Sequence, residues 1–237
     1  MSFCEKYQRI ISANFGEKYL EFSDTFEKLA DDLIEYNKKV NLTAITDPSE
    51  IIAKHFADSL FYEEHIPKNA TLLDVGCGGG FPSLVLATVR PDIKITSLDS
   101  TAKKLAFVQR ESDVFGFNIT TVAARAEDFL KKAPNRESFD CVCARAVAPL
   151  NILCELCIPA IKISGLFISS KGARAEEEFA DAKNALSTLS GSLSYKKEVT
   201  LFCENEEQNR TVFVFEKEKK TPIKYPRNFS QITKKPL

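Results

Sequence analysis

The first 66 residues carry apolar positions at helical spacing and contain no convincing strand. Apolar residues that recur every three or four positions lie on one face of a helix, and five of them predict the first such helix: Phe22, Phe26, Leu29, Leu33 and Tyr36. A second helix is predicted to begin at DPSE, with Asp47 as the N-cap and Pro48 in the first turn. The side chain of Glu50 would reach back to the backbone of that cap. Residues 1–66 are therefore predicted to form a helical cap.

After Ile66-Pro67 the pattern changes to short apolar runs that alternate with helical stretches. The strand-like runs are TLLDV, IKITSLD, NITTVAA, FDCVCA and GLFISS, and a helical pattern follows each of them. Regular alternation of this kind predicts right-handed crossovers and a parallel sheet covered on both faces. Two final runs, SYKKEVTLF and RTVFVFEK, have no helix between them and predict an antiparallel hairpin at one edge.

The predicted fold class is therefore α/β, with a Rossmann-like, mostly parallel, doubly wound sheet and an antiparallel C-terminal strand. The predicted organisation is a helical cap over residues 1–66, the sheet domain over residues 67–217, and a basic tail over residues 218–237 that packs on the domain or extends from it.

Composition agrees with one such domain plus an appendage. The chain has 237 residues, of which 44% are hydrophobic and 27% charged, as in ordinary globular proteins. No signal peptide is expected, since charged residues interrupt the N-terminus early, and the longest uncharged run, Val75–Val89, holds four glycines and a proline and cannot span a membrane. Seven irregularly spaced cysteines favour a reducing cytoplasm over a disulfide framework.

Charge is distributed unevenly along the chain. Residues 217–237 hold seven basic side chains and one acidic side chain, a net +6. Because the whole chain carries −1, residues 1–216 carry −7. A basic terminus on an acidic body predicts either a polyanionic partner or a solubilising tail.

A glycine-rich loop, LLDVGCGGGFPS, follows the first predicted strand. In sheets of this type ligands bind at the carboxyl ends of the strands, and glycine lets the backbone approach them closely. The dinucleotide fingerprint G-x-G-x-x-G fails here, because position 81 is Phe in one register and position 83 is Ser in the other. What remains is D-x-G-x-G-x-G, which includes Gly76 and Gly78.

An acid at the end of the second strand completes the pattern. Asp99 lies 23 residues after Gly76, where a carboxylate can accept hydrogen bonds from both ribose hydroxyls. Asp74 could face the cationic part of S-adenosylmethionine (SAM), or could be a carboxylate that faces a helix. The loop, the acid and their spacing favour a SAM-dependent methyltransferase over a dehydrogenase.

Several ordered motifs resemble one family over nearly the whole chain. They are YNKKVNLTAITDPSEIIAKHFADSL, LLDVGCGGGFPS, LDSTAKKLAFVQ, ARAEDF, CARAVAPL, SSKG and KTPIKYPRNFSQITKKPL, and they are similar to RsmG, also called GidB. That family comprises bacterial class I SAM-dependent methyltransferases acting on N7 of a guanine in 16S rRNA (guanine 527 in the standard numbering). The resemblance implies SAM as cofactor and 16S rRNA in the 30S subunit or its assembly precursor as partner; a monomer without a metal is expected. Two alternatives stay open: a SAM-dependent methyltransferase of another substrate, and a non-catalytic module that binds SAM or RNA.

The resemblance also implies which residues contact the cofactor. The expected cofactor contacts, including two further loop residues, are nine in number: Asp74, Gly76, Gly78, Phe81, Asp99, Ser100, Ala126, Glu127 and Arg145. The family usually ends the loop in Gly-Phe-Pro-Gly and often has Thr at the second loop position, whereas this chain has Ser83 and Cys77. Both replacements are small.

The expected chemistry requires no general base. Guanine N7 has a free lone pair that faces the major groove, so catalysis is mainly proximity and orientation. Cys141 and Cys143 alternate along a strand and are predicted to be core residues rather than nucleophiles. Arg145 is expected either to position the cofactor carboxylate, the base or a phosphate, or to form a salt bridge with a neighbouring acid.

The remaining candidates have structural alternatives. His55 and Asp58 lie one helical turn apart and are predicted to be structural, and Asn37 is predicted to form a turn. Cys77 is predicted to pack, and Cys154 and Cys157 lack the further ligands that zinc requires. The expected RNA contacts are Lys171, Lys224, Arg227, Lys234 and Lys235, unless the tail folds back and only braces the sheet.

Overall fold

A computed structural model describes residues 1–237 and contains one seven-stranded sheet. Its spatial order is β3-β2-β1-β4-β5-β7-β6. The strands are β1 (Thr71–Val75), β2 (Lys94–Asp99), β3 (Ile119–Ala123), β4 (Phe139–Cys143), β5 (Ile161–Lys171), β6 (Gly191–Phe202) and β7 (Glu207–Lys217).

Nine helices surround the sheet. They are α1 (Phe3–Phe15), α2 (Ser23–Asn37), α3, α4 (Ser83–Val89), α5 (Ala102–Phe115), α6 (Ala126–Leu130), α7 (Leu150–Cys157), α8 (Ala175–Leu189) and α9 (Phe229–Lys234). Helix α3 is α-helical over Pro48–Glu50, π-helical over Ile51–Ala57 and α-helical again over Asp58–Leu60. Short 3₁₀ turns span Leu20–Phe22, Glu63–His65, Ala133–Asn135 and Ile158–Ala160. No helix is long and apolar enough to cross a membrane.

The pairing confirms the predicted mixed sheet. Strands β1 to β5 are parallel, with β1 between β2 and β4. Strand β7 runs antiparallel to β5, and β6 closes the edge antiparallel to β7, as the two final apolar runs predicted. The chain winds outward from β1 to β3 and then returns to β4 on the other side. The crevice at this reversal, outside the carboxyl ends of β1 and β4, is where such sheets bind ligands.

The N-terminal helices pack on one face of the sheet. The predicted apolar face of α2 is buried, with Phe26, Leu29 and Leu33 each at most 2% exposed. These side chains share one hydrophobic cluster with strand residue Leu72 and with Leu84 of α4. A second cluster on the other face joins α6, α7 and α8 to the tail.

The predicted N-cap of α3 is confirmed, but the predicted contact of Glu50 with that cap is not. Asp47 Oδ1 accepts hydrogen bonds from the backbone N–H groups of Ser49 (2.9 Å) and Glu50 (3.1 Å). The expectation that Glu50 reaches back to the cap is wrong, because its Oε1 accepts from Lys54 Nζ at 2.7 Å. Lysine at i+4 offers the carboxylate a full opposite charge on the same helix face.

Glu111 on α5 is a buried acid that pairs poorly. Its side chain is fully buried and neither carboxylate oxygen has a hydrogen-bond partner, although Arg110 Nη1 lies 3.3 Å from Oε1. Burial, and secondly the nearby charge of Asp32, raise the pKa of Glu111 from 4.5 to about 7. The folded protein therefore retains a proton that the unfolded chain releases.

Replacing Glu111 by Gln should stabilise the protein at alkaline pH. The folded state keeps the Glu111 proton up to about pH 7 and the unfolded state loses it near pH 4.5, so wild-type stability falls as the pH rises through that window. At pH 8 we expect the variant to gain about 1 to 3 kcal/mol in free energy of unfolding, with little difference at pH 4. Urea unfolding across this range measures it, with exposed Asp113→Asn as control; parallel curves for wild type and Glu111→Gln would contradict it.

Candidate active site

The glycine loop after β1 is held against the end of β2. Gly76 and Gly78 have φ values of +73° and +57°, and a Cβ on Gly76 would lie 2.5 Å from Val147 Cγ2. The Gly76 N–H donates to the carbonyl of Leu98 at 2.7 Å, and the Gly78 N–H donates to Asp99 Oδ2 at 3.0 Å. At Gly78, by contrast, a Cβ would meet open space. Glycine is required at position 76 by both backbone conformation and contact.

A cavity of about 440 Å³ opens at the carboxyl ends of β1, β2 and β4. This volume lies within the range of small-molecule sites in proteins. Eight of the nine residues expected from the sequence to bind cofactor line it: Gly76, Gly78, Phe81, Asp99, Ser100, Ala126, Glu127 and Arg145. Residues separated by up to 69 positions in the chain thus meet around one cavity.

Asp74 lies behind the loop and does not line the cavity. It is fully buried, and its Oδ2 accepts hydrogen bonds from the Ser83 hydroxyl (2.6 Å) and the Ser83 N–H (3.2 Å). Ser83 in turn accepts from the hydroxyl of Ser97 at 2.7 Å. Burial raises the pKa of Asp74 to about 6. The structure thus gives Asp74 the alternative position, a carboxylate that faces the start of α4.

Asp99 lies on the cavity wall at the end of β2. Its Oδ1 accepts from the Thr101 N–H at 2.7 Å while Oδ2 holds the Gly78 N–H. Each carboxylate oxygen can accept more than one hydrogen bond. Asp99 can therefore hold the loop in place and accept from hydroxyl groups of a ligand at the same time.

Arg145, just after β4, connects the cavity to the cap. Its Nη1 donates to the Lys54 carbonyl (2.6 Å) and to Asp58 Oδ2 (3.0 Å), and Nη2 contacts His55 Nδ1 at 3.0 Å. Asp58 Oδ1 accepts in addition from Arg210 Nε on β7 at 3.0 Å. The structure therefore forms the salt bridge considered from the sequence, and the same guanidinium lines the cavity. The structure joins His55 and Asp58 in one hydrogen-bonded network through Arg145, which contacts both side chains.

The arginine contact determines the tautomer of His55. Burial, and secondly the charge of Arg145, lower the pKa of His55 to about 3, so the ring is neutral at physiological pH. A guanidinium can only donate, hence Nδ1 accepts and Nε2 carries the hydrogen. Nε2 lies 2.9 Å from Thr43 Oγ1, and the ring stacks on Phe81 with centroids 4.4 Å apart. His55 therefore has both nitrogens engaged.

The turn that carries Thr43 is organised by Asn37, which confirms the turn predicted there. Asn37 Oδ1 accepts from the N–H groups of Leu42 (2.7 Å) and Thr43 (3.1 Å), and Nδ2 donates to the Thr43 carbonyl at 2.9 Å. Leu42 and Thr43 both line the cavity. The C-terminal end of α2 therefore places the cap over the glycine loop.

Two of the five expected RNA contacts are engaged within the chain. Lys171 is buried and pairs with Glu178 at 2.9 Å. Arg227 donates to buried Glu155 through its backbone N–H, Nε and Nη2, at 2.6 to 2.8 Å. Lys224, Lys234 and Lys235 are exposed and form no ion pair. The tail packs on the domain. At Arg227 it is anchored to Glu155, which is the bracing arrangement considered from the sequence.

The tail also reaches the cavity, which sequence reasoning missed. Phe229, at the start of α9, lines the cavity and lies 5.6 Å from the guanidinium of Arg125. Arg136 holds the tail from the other side by donating to the carbonyls of Thr221, Pro222 and Tyr225. An aromatic residue within a basic segment was noticeable in the sequence, but its distance from the glycine loop was not.

A second hollow of about 490 Å³ adjoins the first. The two share Arg145, Ala146 and Val147, and the second is also lined by Lys171, Arg174 and Arg210, with two acids, Asp58 and Glu178. Arg174 is exposed and forms no ion pair. Neither Arg174 nor Arg210 was identified from the sequence, because each is an ordinary basic residue in its local context.

The cysteines near the site are packing residues. Cys77 is 2% exposed, and burial raises its pKa well above the ordinary value, so the thiol is protonated. Cys141 and Cys143 are fully buried in β4, as predicted. A protonated, buried thiol is a poor nucleophile.

Solved structures share this fold at low sequence identity. The chain is similar to a ribosomal protein L11 methylase from Lactobacillus delbrueckii subsp. bulgaricus, with a TM-score of 0.52 and 16% identity over 70% of this chain and 79% of that one. It is also similar to the [4+2]-cyclase SpnF, with a TM-score of 0.55 and 14% identity over 68% of this chain and 81% of that one. The sheet order and the position of the cavity define a Rossmann-like domain of the class I SAM-dependent methyltransferase type. Fold alone does not decide the reaction.

Sequence similarity identifies the family. The family model GidB, described as rRNA small subunit methyltransferase G, matches residues 23–210, and the chain belongs to this family. A relative named ribosomal RNA small subunit methyltransferase G from Halalkalibacterium halodurans is 42% identical over 100% of both chains. One of the same name from Clostridium perfringens (strain 13 / Type A) is 42% identical over 92% of this chain and 93% of its own. The predicted resemblance is confirmed.

Proposed function

We propose that this chain transfers the methyl group of SAM to N7 of a guanine in 16S rRNA, guanine 527 in the standard numbering. The observation that carries the proposal is full-length similarity to rRNA small subunit methyltransferases G, combined with a cavity that holds eight of the nine expected cofactor residues. The side chains that face the cavity also bear on the reaction type, because they show whether a general base is available.

The cavity wall fits the cofactor. Asp99 provides acceptors for ribose hydroxyls, and Ala126 and Glu127 form the wall beyond it, where the adenine is expected. The open space at Gly78 admits a ligand against bare backbone. Cys77 beside it is protonated and uncharged, and Phe81 covers the loop from the cap side.

A reaction without proton transfer agrees with the residues that face the cavity. Bound SAM would supply an electrophilic methyl group and take back the electron pair of its carbon–sulfur bond. Guanine N7 already carries the lone pair that would accept the methyl group, so the chain's own residues need move no proton. His55, the one imidazole on the wall, has both nitrogens engaged and a pKa of about 3, so it is not a general base at neutral pH. Arg145 is held by Asp58 and two further acceptors. The chain's contribution is thus orientation and exclusion of water.

Basic side chains beside the cavity support an RNA substrate. The second hollow presents the exposed, unpaired Arg174 in the pocket that also holds Arg145, whereas Lys171 and Arg210 are held there by Glu178 and Asp58. Exposed Lys224, Lys234 and Lys235 lie on the tail, whose Phe229 borders the cavity. We propose that the exposed cations contact phosphates around the target nucleotide.

Mapping of N7-methylguanine in small-subunit RNA, with and without the gene, tests the proposal. We expect one methylated guanine to be lost on deletion. The methylation should return when purified protein and SAM are added to subunits from the deletion strain. An unchanged methylation pattern would refute it. Transfer to a protein or to a small metabolite instead would keep the cofactor assignment and overturn the substrate.

Neutralising the exposed tail lysines should weaken RNA binding and leave SAM binding unchanged. For Lys224→Ala/Lys234→Ala/Lys235→Ala we expect roughly 10-fold lower affinity for undermethylated 30S subunits at physiological salt, and a smaller salt dependence, because each lost phosphate contact releases about one counterion fewer. Filter binding across salt concentrations measures both quantities. The control is Lys68→Ala/Lys94→Ala near the amino ends of the strands; equal losses in the two variants would show that the tail has no special role.

A further inference from the structure

The hydroxyl of Thr43 carries a hydrogen that no group in the chain accepts. Thr43 Oγ1 accepts a hydrogen bond from the Ile45 N–H at 3.0 Å. It accepts a second from His55 Nε2 at 2.9 Å, because the Arg145 contact at Nδ1 places the ring hydrogen on Nε2. A hydroxyl has two acceptor lone pairs and one donor hydrogen. Both lone pairs are therefore used, and only the hydrogen remains.

That hydrogen has no acceptor within the protein, and Thr43 is half-buried on the cavity wall. The Thr43 side chain makes two hydrogen bonds within the protein, and it is the acceptor in both. The backbone of the same residue is held by Asn37 through its N–H and its carbonyl. The hydroxyl is thus a fixed neutral donor that faces the cavity and can donate to a ligand bound there in place of solvent.

We propose that the Thr43 hydroxyl donates a hydrogen bond to O6 of the guanine whose N7 is methylated, which makes Thr43 a substrate-specificity residue and His55 and Arg145 its positioning residues. The inference rests on the proposed function. N7 and O6 are neighbouring acceptors on the major-groove edge of guanine, whereas adenine presents an amino donor in place of O6. A donor that cannot act as an acceptor therefore selects guanine over adenine at the bond next to the reacting nitrogen.

The electrical neutrality of this donor suits the reaction. Methylation at N7 places a positive charge on the base, so a cationic donor at O6 would oppose the transition state. Arg145, a cation of the cavity wall, is held in an ion pair with Asp58, and the proposed contact to O6 comes from a neutral hydroxyl. The arrangement orients O6 without adding repulsion as the charge develops.

The test uses the full-length protein with three substitutions and undermethylated 30S subunits. Thr43→Val removes the donor at nearly constant volume, Thr43→Ser keeps it, and Thr120→Val is a matched change on exposed strand β3. We expect Thr43→Val to lower the single-turnover rate of methyl transfer roughly 5- to 100-fold, with the SAM dissociation constant unchanged. The melting temperature should fall by a few degrees, because Val also removes the acceptor of the Ile45 N–H and of His55 Nε2. Thr43→Ser and Thr120→Val should stay within about 3-fold of wild type.

A modified substrate identifies the acceptor. In subunits reconstituted with 2-aminopurine at the target position, which keeps N7 and lacks O6, wild type should lose as much rate as Thr43→Val loses on guanine, and Thr43→Val should lose nothing further. A matching loss of SAM affinity in Thr43→Val would overturn the inference by assigning the donor to the cofactor, and so would a Thr43→Val rate equal to wild type. Absence of any transfer by wild-type protein to guanine subunits would instead refute the proposed function itself.

Discussion

Replacing Asp99 by Ala should raise the dissociation constant of SAM by roughly 30- to 1000-fold. The substitution removes a charged acceptor for two ribose hydroxyls, and hydrogen bonds to charged groups contribute about 1.5 to 3 kcal/mol each. It also frees the Gly78 N–H, which Asp99 Oδ2 holds at 3.0 Å, and the Thr101 N–H at 2.7 Å. Loop order and ligand contact are therefore lost together.

Calorimetric titration with SAM measures this effect, and an Asp99→Asn variant divides it. Asparagine keeps one acceptor oxygen and loses the charge, so its affinity should lie between those of wild type and Asp99→Ala. Asp92→Asn, which precedes β2 and does not line the cavity, is the control for loss of a carboxylate charge. A change of less than about 3-fold for Asp99→Ala would contradict the assignment of the cavity to an adenosyl ligand.

Replacing Arg227 by Met should destabilise the folded protein by about 3 to 5 kcal/mol, because a buried carboxylate that loses its partner is costly. Glu155 is fully buried and receives three hydrogen bonds from Arg227, two of them from the guanidinium that Met lacks. The tail segment that follows carries Phe229 to the cavity wall. We therefore expect weaker SAM binding in this variant at temperatures where it remains folded.

Denaturant unfolding measures the loss, and the double variant Glu155→Leu/Arg227→Met separates its causes. Removing the charge as well as its partner should recover most of the stability, since buried ion pairs are often replaceable by apolar residues. Lys224→Met, an exposed neighbour without an ion pair, should leave stability within about 0.5 kcal/mol of wild type. A single variant Arg227→Met as stable as Lys224→Met would show that the tail docks without the ion pair.

The fold was largely predictable because its signals are local. Each of the seven strands overlaps an apolar run identified in the sequence, and the absence of a helix between the last two predicted the antiparallel edge. Helix α1 was the main omission: its cap box at Ser2 and Glu5 is a local signal that was not identified. The π-helical stretch of α3 has no sequence signature of its own.

The candidate site was predicted in part: residues close together in the sequence were identified, whereas contacts between distant parts of the chain were not. Gly76, Gly78 and Asp99 were identified because one strand-loop-helix unit and the next strand end carry them. Asp74 was named among the cofactor contacts, with a helix-facing carboxylate as the alternative, and the structure has that alternative because Asp74 accepts hydrogen bonds from Ser83. Lys171 and Arg227 were expected to be available for RNA, but their partners Glu178 and Glu155 come from other elements.

The sequence by itself therefore determined the strand and helix pattern, the glycine loop and the family, because these depend on neighbours within a few residues or on motifs that keep their order. The tertiary structure decided the protonation state of His55, the donor role of Thr43, the position of Phe229 in the cavity wall and the pairing of the tail cations. Thr43 and Arg145 act on His55 from 12 and 90 positions away. Hydrogen-bond direction and burial are set only when such distant residues come into contact, so the local pattern of apolar and polar residues cannot predict them.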